Sequence, residues 1–276
     1  MRNALKFTSV LATAGIALSL AACGSSGSSS GSSDPNAALT VAASPTPHSQ
    51  ILKFVKDNLA EKAGLKLNIK EVTDYVTPNT AVQDGSADAN YFQHLPYLED
   101  FNKKHGTDIV SVEPVHLEPL GVYSKKVKSI GDIADGATIG LPNDATNEGR
   151  ALKLLADNKL ITLKEGAGTA ATPADVTGNP KNLKWKELEA AQLPRSIGDL
   201  DAAVINGNYA IDAGLKPATD AVVLEKAEGN PYANILAVKK GKENDPRVKK
   251  LAELLHSPEV KKYIDDTFNG SVIPAF

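Results

Sequence analysis

The sequence predicts an α/β fold in two lobes. Three observations carry that expectation. Short apolar runs alternate with segments of helical periodicity, the mark of strands feeding helices in mainly parallel sheets. The alternation occurs in two successive series along the chain. The stretch from Leu39 to Phe276, 238 residues, approaches the size at which a single core divides.

In chain order, Leu39–Ala43 is a short apolar run and reads as a buried strand. Residues 47–63 carry Ile51, Leu52, Val55, Leu59 and Ala63 at helical spacing, with Gly64 as the stop. Residues 65–72 begin by alternating Leu65, Leu67 and Ile69 with Lys66, Asn68 and Lys70, a half-buried strand. A short helix is expected at 80–83, a strand at 87–92, and a helix at 96–105 opened by Pro96. Residues 109–124 are extended in character and interrupted by Pro114 and Pro119. The second series has a strand at 137–141 and a helix at 146–158. Residues 166–178, rich in Gly, Ala and Thr, carry no clear period. Residues 200–205 read as a helix end or a strand, 208–213 as a helix, 234–238 as a strand and 246–268 as largely helical.

The N-terminus reads as an address. Arg2 and Lys6 precede an uncharged run from 7 to 22, too short for a comfortable membrane span and suited to a secretory signal. The run ends Leu20-Ala21-Ala22-Cys23-Gly24, and Cys23 is the only cysteine. This resembles a bacterial lipobox, which implies a signal peptide over 1–22, cleavage before Cys23 and lipidation of its thiol. Residues 25–33, almost purely Ser and Gly, extend the lipidated end into a flexible tether over 23–38. Gly27-Ser28-Ser29-Ser30-Gly31 matches the hydrolase nucleophile elbow in letters only, because a tether offers neither the strand nor the helix that motif needs.

Composition narrows the function. With 30 basic and 33 acidic residues the chain has no basic excess, so nucleic acid is not an expected partner. A single cysteine rules out an intramolecular disulfide framework and a multi-cysteine metal centre. His48, His94, His105, His116 and His256 show no metal-ligand spacing, and no phosphate-binding glycine motif is present. Neither a cofactor nor an enzymatic activity is expected.

Three groups of residues remain as candidates for a ligand site. Asn143-Asp144-Ala145-Thr146-Asn147-Glu148-Gly149-Arg150 follows a strand and opens a helix, where free N–H groups suit an anion. Arg150 is one of only four arginines; it reads equally as a carboxylate clamp or as a surface partner of Glu148 or Asp144. Tyr75, Tyr91, Phe92, Tyr97 and Phe101 crowd five of the fourteen aromatics into 27 residues, with His94 among them. They suit either a lobe core or the wall of an apolar pocket; by alternation Phe92 and His94 face one way and Tyr91 the other. Asn206 and Asn234 flank apolar runs; Asn206-Gly207 reads first as a turn.

Taken together, these stretches resemble the methionine-binding lipoproteins of the NlpA/MetQ type, the substrate-binding proteins of methionine ABC importers. The likeness rests on Asp74-Tyr75-Val76-Thr77-Pro78-Asn79, on Asn90-Tyr91-Phe92-Gln93-His94-Leu95-Pro96-Tyr97, and on Glu118-Pro119-Leu120-Gly121-Val122-Tyr123. It continues through the Asn143–Arg150 segment, Leu188-Glu189-Ala190-Ala191-Gln192-Leu193-Pro194-Arg195 and Pro231-Tyr232-Ala233-Asn234. The resemblance implies a two-lobed, type II-like periplasmic-binding-protein fold with a cleft between lobes. Lobe one spans 39–127 and 228–276, and lobe two 128–227. It implies a non-enzymatic, lipid-anchored protein on the extracytoplasmic side of the membrane. That protein captures L-methionine or a close relative by lobe closure and delivers it to permease and ATPase subunits. It places Arg150 and Asn147 on the ligand carboxylate, Asn206 and Asn234 on its polar head, and Tyr75, Phe92, Tyr97 and His94 around the side chain. Two positions depart from the pattern: Tyr91 stands where some members carry a small residue, and Asn206 is followed by Gly207-Asn208 rather than threonine-type residues. The alternatives are a binding protein for another amino acid or a methionyl dipeptide, and a surface lipoprotein with an adhesive or structural role.

Overall fold

The structure, a computed structural model, describes residues 34–276. The expected signal peptide, Cys23 and most of the tether lie outside the described residues. The first series comprises β1 (Leu39–Ala43), α1 (Gln50–Val55), β2 (Leu67–Glu71), α2 (Thr77–Asp84), β3 (Ala89–His94), α3 (Leu95–His105) and β4 (Ile109–Leu117). The chain then crosses into β5 (Gly121–Tyr123), β6 (Thr138–Pro142), α4 (Ala145–Asp157), β7 (Thr162–Leu163), β8 (Val176–Gly178) and β9 (Lys184–Leu188). There follow α5 (Leu193–Ser196), β10 (Ala202–Ile205), α6 (Gly207–Asp212), α7 (Pro217–Asp220) and β11 (Val223–Leu224). It returns as β12 (Asn234–Lys239), α8 (Pro246–Leu255), α9 (Pro258–Phe268) and β13 (Ile273–Pro274).

Two main sheets result. One has the order β13-β4-β12-β3-β1-β2 and the other β11-β5-β10-β6-β9; β7 and β8 form a separate hairpin. The expected mainly parallel pairing holds only in part. β1 is parallel to β2 and β3, and β6 is parallel to β9 and β10. β12, however, inserts antiparallel to both β3 and β4. The physical reason is the crossover: a strand that re-enters from the other sheet arrives without the βαβ connection that enforces parallel direction. The strand Gly121–Tyr123 pairs with β10 and β11, so the chain passes from the first sheet to the second at residues 118–120.

Local chemistry explains where elements start and stop. The helix expected at 47–63 begins at Gln50, because Pro45 and Pro47 flank an extended Thr46 (φ −129°, ψ 135°). It continues through Lys56–Ala60. α3 starts directly after β3. His94 caps it, its imidazole accepting the Tyr97 N–H at 3.2 Å, and Gly106 (φ +64°) ends it in the left-handed conformation. The long helical stretch 246–268 divides at Ser257, whose hydroxyl caps α9 by accepting from the Val260 N–H at 3.2 Å.

Each sheet owns a core. α1, α8 and α9 bury Leu52, Val55, Leu251, Leu255 and Ile264 against Val41, Tyr91 and Leu236. α4 buries Leu152 and Leu155 against Ile139, Leu141 and Val204. The carboxyl ends of β3, β4, β6 and β10 carry His94, Glu118, Asp144 and Asn206 on or just past them, the position at which open α/β sheets bind ligands. Leu251 has no exposed surface, so Leu251→Ala is expected to cost about 2–5 kcal/mol through lost burial and a residual cavity. Urea unfolding checks this, with a lower midpoint and an unchanged slope expected.

Candidate functional site

A cavity of about 320 Å³, counting its mouth, opens between the two sheets. Tyr75, Phe92, Gln93, His94, Tyr97, Glu118, Asn147, Arg150, Asn208 and Asn234 line it. Seven of the eight residues singled out in the sequence therefore line one cavity. The eighth, Asn206, stands one contact behind: its Nδ2 donates to Asn147 Oδ1 at 2.9 Å. Asn206 precedes α6 without capping it, and its Oδ1 is buried without a partner. Glu118, Gln93 and Asn208 were not singled out. Glu118 could have been noticed as an acid enclosed by Leu117 and Pro119, but its neighbours in space come from distant segments.

Arg150 lies on the buried face of α4, 3% exposed, and its predicted surface partners Glu148 and Asp144 are not its partners. Instead Nε and Nη2 hold Glu225 at 3.0 and 2.5 Å, and Nη2 also donates to the Glu118 main-chain carbonyl at 3.0 Å. The guanidinium carbon sits 4.3 Å from the centre of the Tyr232 ring, a cation–π contact. Glu118 follows β4, while Glu225 and Tyr232 lie between β11 and β12, so both crossovers converge on one cation. Among the described residues nothing hydrogen-bonds Nη1.

Several wall residues are fully engaged by the protein. His94 accepts at Nδ1 from the Tyr97 N–H, so Nε2 carries its proton and donates to Asn147 Oδ1 at 3.2 Å. Asn147 Nδ2 donates back to the capping Asp144 at 2.9 Å. Burial, with the Arg150 charge second, pushes His94 down to about 3. It is neutral at physiological pH. Gln93 exchanges bonds with Asn79 and Asn90. By contrast, Asn234 uses only its Oδ1, facing His48 Nε2 at 3.0 Å, and Asn208 only its Oδ1, accepting from Tyr75 OH at 2.6 Å. The amide donors of both, like Arg150 Nη1, have no hydrogen-bond partner among the described residues. Tyr75, Phe92 and Tyr97 form a triangular box with centroids 5.8–6.0 Å apart. Tyr91 points the other way into the first core, as alternation along β3 requires.

Behind Glu118 lies a buried chain of polar groups. Tyr91 OH donates to His116 Nδ1, and His116 Nε2 donates to Glu118 Oε1 at 2.6 Å. His48 Nε2 also faces that oxygen at 3.4 Å. Burial lowers His48 to about 4 and His116 to about 3, and raises the Glu118 carboxyl. Among the described residues, His48, His116 and Glu118 are the one set of metal-ligating side chains with donor atoms gathered within 4.8 Å. Held by Asn234 and Tyr91, the two histidines support the Glu118 carboxylate.

Comparison with known proteins matches this geometry to a family. The profile of the NlpA lipoprotein family covers residues 39–276. The chain is 45% identical over 263 residues to the methionine-binding lipoprotein MetQ of Bacillus subtilis, covering 92% of this chain and 93% of that one. It is 39% identical to the D-methionine-binding lipoprotein MetQ of Salmonella typhimurium, covering 98% of each. A nutrient-binding protein from Burkholderia cenocepacia, solved bound to methionine, superposes with a TM-score of 0.84 at 47% identity, over 86% of this chain and 100% of that one.

Because its folded-state value is depressed, His94 is expected to stay neutral from pH 7.5 to 5. Nitrogen-15 NMR of the ring should show unchanged shifts over that range. A titration near 6.5 would mean that the ring is solvated rather than held between Tyr97 and Asn147.

Proposed function

The chain belongs to the NlpA lipoprotein family, and on that premise we propose that it is a non-enzymatic binding protein for L-methionine serving an ABC importer. The observation that carries the reading is the pairing of a buried, partly uncommitted guanidinium with an aromatic box in one cavity. Arg150 Nη1, Asn208 Nδ2 and Asn234 Nδ2 are donors suited to a carboxylate. Tyr75, Phe92 and Tyr97 suit a thioether, whose polarizable sulfur gains from ring contact. His94 and Asn147 frame the pocket rather than bind from it, since their polar atoms serve each other and α4.

Binding closes the two lobes, which take 39–117 with 234–276 and 121–224, about the crossovers at 118–120 and 225–233. Contacts across the cleft support this motion: Tyr75 reaches Asn208, Tyr209 OH donates to the Thr73 carbonyl at 3.0 Å, and His94 reaches Asn147. Closure excludes water, so each charge-assisted bond gains strength. The closed form is then presented to the permease. Lipid on Cys23 holds the protein at the extracytoplasmic face. A methionyl dipeptide is the second reading, favoured by a cleft open to solvent that shares Tyr75 and Tyr97 with the first cavity and continues along Asp74, Asn143 and Glu189.

Titration calorimetry of residues 24–276, refolded from denaturant to strip any carried ligand, is expected to show one-to-one binding of L-methionine. Arg150→Lys should weaken it about 100-fold, because an ammonium cannot reproduce the fork that reaches Glu225, the Glu118 carbonyl and the ligand together. Near-wild-type affinity would remove Arg150 from the site. Cys23→Ser is expected to abolish incorporation of labelled fatty acid and release the protein from membranes. Retained labelling would place the anchor elsewhere.

A further inference from the structure

We infer that Gly149 is a positioning residue for Arg150. Its missing side chain lets the main chain of the turn Gly168–Ala170 lie against the back of α4, and that contact sets how far the guanidinium reaches into the cavity. The consequence for the ligand rests on the amino-acid reading above; the placement of Arg150 does not.

α4 has a front and a back. Successive residues step about 100° round a helix, so Asn147 and Arg150 stand about 60° apart, and both line the cavity. Gly149 stands about 160° from Asn147, on the side turned away. A Cβ at Gly149 would lie 2.3 Å from the Thr169 carbonyl oxygen, 2.7 Å from its carbon and 2.9 Å from the Ala171 nitrogen. Among the described glycines, it alone would meet main-chain atoms first. Main chain cannot swing aside as a side chain can. Glycine inside a helix is also less favourable than alanine, so close approach and not helix propensity accounts for it.

The stop behind the helix is itself fastened. It belongs to the Gly-, Ala- and Thr-rich stretch that carries no sequence period, and it forms the tip between β7 and β8. The Lys164 N–H donates to the Asp175 carbonyl at 2.8 Å and closes the neck of that tip. The Thr172 N–H and hydroxyl both donate to Asp175 Oδ2 at 2.9 Å. Ala171 is fully buried in the same core as Ala151, Leu152 and Leu155 of α4.

In front, Arg150 is held by Glu225 and by the Glu118 carbonyl. α4 is thus set between a main-chain stop and an ion pair. Relieving a methyl group at 149 to ordinary contact, about 3.5 Å, takes a shift of about 1 Å. A binding constellation keeps its geometry only within about 0.5 Å, so that shift displaces Arg150 from its partners.

Gly149→Ala carries the test. Asp175→Ala is the second variant; it removes the acceptor for Thr172 and leaves the sequence of α4 intact. Nitrogen-15 NMR of the arginine Nε–H groups in residues 24–276 reads Arg150 directly, and Arg150→Lys identifies its resonance by loss. In wild type that proton, bonded to Glu225, is expected to exchange slowly. Both variants are expected to shift the resonance and speed its exchange about tenfold or more, with thermal unfolding confirming a folded chain. Calorimetry then compares L-methionine with L-methioninol, which keeps the amine and thioether and carries an alcohol in place of the carboxylate. Wild type is expected to prefer methionine about 100-fold, and each variant to lower that preference about tenfold without weakening methioninol. Equal weakening of both ligands would make Gly149 structural only and overturn the inference. So would an unshifted Arg150 resonance in folded Gly149→Ala, whatever the ligand. If Gly149→Ala does not fold, Asp175→Ala decides in the same two readouts. If wild type binds neither ligand, the methionine reading fails separately, and the Arg150 resonance alone decides the role of Gly149.

Discussion

One buried cation organises this molecule. A guanidinium that is 3% exposed must be paired and hydrogen-bonded, because desolvating an unpaired charge costs several kcal/mol. Arg150 meets that requirement with Glu225, the Glu118 carbonyl and the face of Tyr232. Those three partners lie on the two segments that join the sheets. The electrostatic demand of one side chain on α4 thus fixes the path of both crossovers, and with it the shape of the cavity between them. In the proposed binding mode a ligand carboxylate would join the same network through the remaining N–H groups, and so would meet the two segments that join the sheets.

The cavity lining divides between side chains with hydrogen-bonding capacity to spare and side chains that hold them in place. His94, Asn147 and Gln93 spend their hydrogen-bonding capacity within the protein. They resist rearrangement and keep the aromatic box and the helix start in register. Asn208, Asn234, Arg150 and Glu118 keep part of theirs for the cavity. Preorganisation of this kind lowers the ordering cost of binding, since few side chains must be frozen when the ligand arrives. The same logic explains the buried chain from Tyr91 through His116 to Glu118. An isolated buried acid would be costly, and a fully hydrogen-bonded one is tolerated.

Much of the architecture was legible in one dimension. Alternation at Leu65, Leu67 and Ile69, helical spacing across Ile51 to Leu59, and Pro96 at a helix opening are local signals, and they named β2, α1 and the start of α3. The elements that escaped were short or ambiguous: α5, α7 and the β7–β8 hairpin have too few residues to display a period, and in β9 the apolar Trp185 and Leu188 do not alternate. The insertion of β12 between β3 and β4 also escaped, because strand order depends on which distant edges meet and not on any local repeat.

For the site, the sequence by itself determined the residue types. A rare arginine at a helix start, an aromatic cluster with His94, and asparagines beside apolar runs were visible as unusual chemistry in particular places. Tertiary structure alone decided the pairings. Arg150 was expected beside Glu148 or Asp144 if it lay on the surface, yet it meets Glu225, 75 residues away. Glu118 looked unremarkable until His116, His48 and the space left by Gly207 gathered around it. Charge pairing inside a protein is settled by which groups are desolvated together, and that follows from how the sheets pack, a property that no local stretch of sequence contains.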